Sequence, residues 1–118
     1  MTPDVTDLRY ERATRTLHVA FADGQAFALP AEYLRVESPS AEVQGHGPGQ
    51  RKLVAGRSHV GIIAIEPVGN YAVRLTFDDL HDSGIFSWEY LLELGREHDS
   101  RWSAYLHALA VAGLSRDP

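Results

Sequence analysis

The chain contains no cysteine. Disulfides, thiolate nucleophiles, iron–sulfur ligation and sulfur-ligated zinc are therefore excluded for this chain alone. It also has no excess of positive charge. The formal net charge is −5 and the isoelectric point near 5.6, the reverse of the basic face that displaces counterions from a phosphate backbone. Nucleic acid is not an expected partner. No apolar run reaches the ~20 residues of a membrane-spanning helix. The opening Met1–Asp7 has neither the basic nor the apolar region of a secretory leader. No membrane partner is expected, and the cytoplasm is the expected location. Internal repeats are absent too. What remains is 118 residues, 44% hydrophobic and 23% charged, enough to bury a core in one domain spanning 1–118, its folded part about 7–112.

Periodicity gives the elements. Leu17, Val19 and Phe21 alternate with Thr16, His18 and Ala20; Asp23-Gly24 interrupts; Phe27 and Leu29 resume. This predicts a β-hairpin with a glycine-supported turn, and Leu8 and Tyr10 predict a strand before it. Pro30 begins a short helical turn through Ala31-Glu32-Tyr33-Leu34-Arg35. From Glu37 to Ser58 the pattern dissolves into a Ser/Gly/Pro-rich connection of about 20 residues, long against the usual median of roughly 4–6. Val60–Ile65 and Tyr71–Phe77, flanking a turn at Pro67-Val-Gly-Asn70, predict a second strand pair, the former strand the more buried. Ser87 is placed to cap a helix from Trp88, with Phe86 stapling against Leu91. Gly95 ends or weakens that helix, and Asp99 or Ser100 caps another in which Trp102, Tyr105, Leu106 and Leu109 share one stripe before Gly113 stops it. The expected fold class is α+β: an antiparallel β-sheet built from a meander and a second strand pair, with one short helical turn and two C-terminal helices on one face.

Some residues invite chemistry. His81 lies in an acidic elbow with Asp78, Asp79 and Asp82, and could bind a sparse metal or act as an acid–base group near its ordinary pKa of about 6.5. The plainer reading is turn chemistry, with the aspartates holding turn amides and Gly84 supplying a positive φ. Gly45, Gly47 and Gly49, with His46, Arg51, Lys52, Arg57 and His59, suggest an anion-binding loop. The spacing matches neither nucleotide signature, and a solvated loop is the simpler reading. Ser87 has no His–acid partner set, so its capping role suffices.

"FADGQAFALPAEYLRVESPSAEVQGHGPGQ" (21–50) and "PVGNYAVRLTFDDLHDSGIFSWEYLLEL" (67–94) together resemble the N-terminal domain of γ-butyrobetaine hydroxylase, over about residues 10 to 110. Its relatives include small stand-alone bacterial domains of unknown function. In the eukaryotic hydroxylases the domain holds a structural zinc through a Cys-x-Cys-x-x-Cys cluster and a histidine. By this resemblance those positions fall at Ser38, Ser40, Val43 and His81, so three of the four donors are lost and no metal is expected. The hydroxylase's catalytic domain binds iron through a His-x-acid pair. None of the six histidines here has an acid two positions on, so oxygenase activity does not carry over. The chain is not expected to be an enzyme or to hold a cofactor.

The resemblance implies a non-catalytic accessory or protein-interaction domain. Relatives fused to an ATPase of iron–sulfur cluster delivery point to iron–sulfur assembly machinery as the partner class, and domain contacts in relatives point to a homodimer. The alternative is a small-ligand or metal-binding protein using the elbow (His81, Asp79, Asp82) and the loop 44–59 (His46, Arg51, Lys52, Arg57, His59).

Overall fold

The computed structural model describes residues 2–39, 53–79 and 84–118. Nine elements follow in order among the described residues. They are β1 (Val5–Glu11), β2 (Thr16–Phe21), β3 (Ala26–Pro30), α1 (Ala31–Val36), β4 (Ile62–Val68), β5 (Ala72–Phe77), β6 (Gly84–Ser87), α2 (Trp88–Arg96) and α3 (His98–Ala112). The strands form two three-stranded antiparallel meanders, β1-β2-β3 and β4-β5-β6. The α+β antiparallel architecture is as expected; its division into two sheets and its sixth strand are new. Among the described residues, no helix is long and apolar enough to cross a membrane.

The first meander follows its side-chain alternation. Leu17, Val19 and Phe21 of β2 are buried, and pairing Leu17 with Tyr10 and Leu29 sets the register on both sides. At the β2–β3 turn Gly24 takes φ 93°, while Asp23 Oδ1 accepts from the Gln25 N–H at 3.1 Å.

In the second meander the order of burial is the reverse of the expectation. Central strand β5 buries Ala72, Val73, Leu75 and Phe77, whereas edge strand β4 exposes Ile63. The apolar run Val60–Ile65 suggested a strand covered on both faces, but β6 on the far side makes β5 the middle. The strand also continues through Pro67, and the turn comes at Gly69, φ 55°. An edge strand tolerates proline because the missing N–H leaves no ladder bond broken.

Both sheets, α1 and α2 share one core, including Leu17, Leu29, Tyr33, Leu75, Phe77, Phe86, Leu91 and Leu94. A cross-link joins the sheets: the Ile62 N–H donates to the Tyr10 hydroxyl at 3.1 Å. Ser87 caps α2 as expected, its Oγ accepting from the Tyr90 N–H at 3.0 Å. Helix α3 begins at His98, one or two residues before the expected caps, with Asp99 in its first turn and no capping side chain. It ends as expected at Gly113, φ 67°, with the Leu114 N–H donating to the Leu109 carbonyl at 2.9 Å. A smaller cluster of Val36, Val54, Tyr105 and Leu109 seats α3 on the rest, while Leu106 of the expected stripe stays 40% exposed.

Gly95 lies inside α2, and it is a packing residue. A Cβ there would stand 2.5 Å from two ring carbons of Phe27 on β3, closer than real contacts allow. Gly→Ala inside a helix ordinarily stabilises by about 1 kcal/mol. Here overpacking reverses the sign, and Gly95→Ala should destabilise the protein by about 1–3 kcal/mol in urea unfolding. A stabilised variant would refute the close approach.

Alkali gives a second check. Burial pushes the Tyr105 phenol up to about 12, against about 10 in an unfolded chain, and its hydroxyl donates to the Val54 carbonyl at 2.6 Å. The unfolded chain gives up this proton first. Its contribution to stability is therefore complete below about pH 10 and lost as the pH rises from about 10 to about 12. Tyr105→Phe should flatten the fall in stability across that window, measured by circular dichroism with denaturant at each pH.

Candidate functional site around a buried helix

Helix α1 is six residues long and every one of them is buried. Glu32, Arg35 and the following Glu37 therefore lie inside the protein, at 6%, 2% and 3% exposure. At about 100° per residue these three side chains spread around the helix, so no orientation leaves all of them in water. A buried charge is tolerated only when it is paired.

Each has a partner from a different part of the chain. Arg116, beyond α3, holds Glu32 by a two-pronged contact, Nε to Oε2 at 2.8 Å and Nη2 to Oε1 at 2.7 Å. The hydrogen bonds to Glu32 hold the Arg116 pKa above its ordinary value. Arg101 of α3 reaches Glu37 at 3.0 Å and also Glu97 at 3.0 Å and Glu93 at 3.4 Å. Burial works against its charge most strongly, but Glu37, Tyr90 and Glu97 together outweigh it and the Arg101 pKa rises. Arg35 donates through Nε to Asp79 Oδ2 at 2.9 Å.

That same Asp79 oxygen lies 2.8 Å from Arg57 Nε. Arg57 Nη1 in turn donates to the Ala55 and Gly56 carbonyls at 3.0 and 3.4 Å. One carboxylate at the end of β5 thus joins α1 to the segment that leads into β4. Of the residues singled out from the sequence, the structure brings together Asp79 and Arg57. His59 is exposed close by in sequence. His81, Asp82, His46, Arg51, Lys52, Ser40 and Val43 lie outside the described residues.

Ser38 is fully buried. Its Oγ lies 3.0 Å from where a Cβ on Gly84 would stand, so the end of α1 and the start of β6 meet. A metal-ligand cysteine in relatives would occupy the Ser38 position, but a neutral serine hydroxyl, with serine and valine at the two further positions, does not fit zinc. Among the described residues, no three His, Asp or Glu side chains converge to hold a metal ion.

Beside these ion pairs runs a groove of about 360 Å³, lined by Val36, Glu37, Leu53, Val54, Arg101, Ala104, Tyr105 and Ala108. Its walls are mainly apolar, with the Arg101–Glu37 pair as the charged feature. Reading the sequence missed Glu32, Arg35 and Glu37, because charges on or beside a short helix are normally solvated, and with them their distant partners Arg101 and Arg116. The signal available was the spread of Glu32, Arg35 and Glu37 around the helix.

The profile of a family described as gamma-butyrobetaine hydroxylase-like, N-terminal, matches residues 8–92. Two protein structures solved by NMR in solution are 47% and 50% identical. Those matches cover 100% and 99% of this chain and 93% and 87% of theirs, each with a TM-score of 0.86. A crystal structure at 1.93 Å of a protein of unknown function in the DUF971 family, from Acidithiobacillus ferrooxidans ATCC 23270, is 39% identical. It covers 78% of this chain and 92% of its own, with a TM-score of 0.66. No curated protein matches the chain.

The two arginines on Asp79 should differ in weight. Arg35 is 2% exposed and Arg57 35%. Asp79→Ala, which takes a carboxylate partner away from the buried Arg35 guanidinium, should cost about 3 kcal/mol. Arg57→Ala should cost about 1 kcal/mol or less, as for a partly exposed pair. Urea unfolding of both variants measures this, and equal losses would contradict the ranking.

Proposed function

We propose, on the premise that this chain belongs to the gamma-butyrobetaine hydroxylase-like, N-terminal family, that it is a non-catalytic protein-interaction domain. By analogy with the fused relatives, its partners are proteins of iron–sulfur cluster assembly. The observation that carries the reading is the outer surface of α3. From Trp102 to Leu114 the chain has no Asp, Glu, Lys or Arg, and Leu106, Val111 and Leu114 stand 40%, 75% and 47% exposed. An uncharged helix surface with exposed aliphatic side chains, beside an apolar groove, has the character of an interface core.

One observation favours a second reading, a small-ligand or metal-binding protein built on the elbow and the 44–59 loop. The Arg57–Asp79 contact of 2.8 Å shows that the end of that loop and the start of the elbow meet, bringing cationic and anionic groups together.

NMR titration separates the two. Under the interaction reading, purified iron–sulfur assembly proteins should shift resonances at Leu106, Val111 and Leu114, and Val111→Glu should weaken binding at least tenfold without altering the fold. Shifts confined to His81 and Gly45–His59 on adding metabolites or metals would favour the second reading instead. One tightly held zinc per chain in equilibrium dialysis would overturn the account of the lost ligands.

A further inference from the structure

The segment after α3 binds the body of the protein in the way an extended peptide binds a receptor. The Ser115 carbonyl accepts from the Gly56 N–H at 2.9 Å and the Arg116 carbonyl from the Ser58 N–H at 3.0 Å. The Arg116 guanidinium forks onto both oxygens of Glu32 and lies 5.4 Å over the Trp102 ring. Gly56, at φ 70°, leaves just enough room: a Cβ there would meet the Asp117 carbonyl oxygen at 3.4 Å. Backbone donors, a planar carboxylate and an aromatic face together recognise one chemical class, an extended segment carrying arginine.

Receptor and occupant differ in how deeply they are held. The Glu32 side chain is 7% exposed and the Arg116 side chain 46%, and every residue from Gly113 to Pro118 is exposed. The occupant thus brings polar contacts and little apolar burial, whereas the receptor carboxylate cannot be left without a cation. Replacing one such segment by another conserves every one of these interactions, so exchange costs little.

We propose that Glu32, Trp102 and the Gly56–Ser58 backbone form a receptor slot for arginine-bearing extended segments, occupied in cis by Ser115–Asp117 and open to a partner's arginine segment in trans. The proposal deepens the protein-interaction reading and rests on it, but on a surface other than the exposed side of α3. Because Arg57 lies between the two donating residues of the slot and contacts Asp79, exchange there also reaches the end of β5.

The test uses the full chain, its Arg116→Ala variant, and a fluorescent peptide of sequence Gly-Leu-Ser-Arg-Asp-Pro beside the same peptide with neutral, isosteric citrulline for arginine. The Arg116→Ala chain should bind the arginine peptide at least tenfold tighter than the citrulline peptide, and tighter than the wild-type chain does. The Gly56 and Ser58 amides and the Trp102 indole N–H should shift. Adding Glu32→Gln should abolish the preference. Equal affinity for the two peptides, or shifts elsewhere, would overturn the slot. If Arg116→Ala does not fold, the wild-type chain decides: displacement at Gly56, Ser58 and Trp102 by millimolar arginine peptide supports the slot, and its absence refutes it. Loss of this binding with partner contacts at Leu106 and Val111 intact would reject the slot alone; loss of those contacts too would reject the interaction reading.

Discussion

The structure turns on one demand, that three charges carried into the interior by a six-residue helix and the residue after it be neutralised there. A helix this short is not stable by itself in water; isolated helices need about 12–15 residues. Burial is what makes α1 a helix, with Tyr33 and Leu34 fully enclosed and the Tyr33 hydroxyl donating to the Leu94 carbonyl at 2.7 Å. The same burial takes Glu32, Arg35 and Glu37 out of water. Arg116, Asp79 and Arg101 must then be where they are, which fixes the segment after α3, the end of β5 and the first turns of α3 relative to α1.

Local chemistry was legible in the sequence wherever a single residue type has one mechanical use. Asp23-Gly24 reads as a hairpin turn, Ser87 as a helix cap and Gly113 as a helix stop, and each does that work. What the sequence hides are the decisions taken between elements. Whether β5 is central depends on Gly84–Ser87 pairing with it, and four residues around a glycine carry too little alternation to read as a strand. Gly95 looks like a weakness until Phe27 is seen against it. The charges of α1 look solvated until the core closes over them.

The candidate site was legible in its position and not in its content. Residues 77–94 point to the elbow, and Asp79 and Arg57 were both singled out for a ligand or partner. In the structure Asp79 pairs with Arg57 and with Arg35. Around this part of the fold, attraction between opposite charges holds together segments distant in sequence. Such a tie responds to salt and to competing ions, whereas a metal centre responds to chelators and thiol chemistry.

The partners of α1 also lie late in the chain. Arg35 pairs across a separation of 44 residues, Glu37 across 64 and Glu32 across 84. During synthesis, the helix therefore emerges from the ribosome long before the residues that make its burial tolerable. The tie from Glu32 to Arg116 can form only after Arg116 is released, so this ion pair is among the last contacts of the described fold to close.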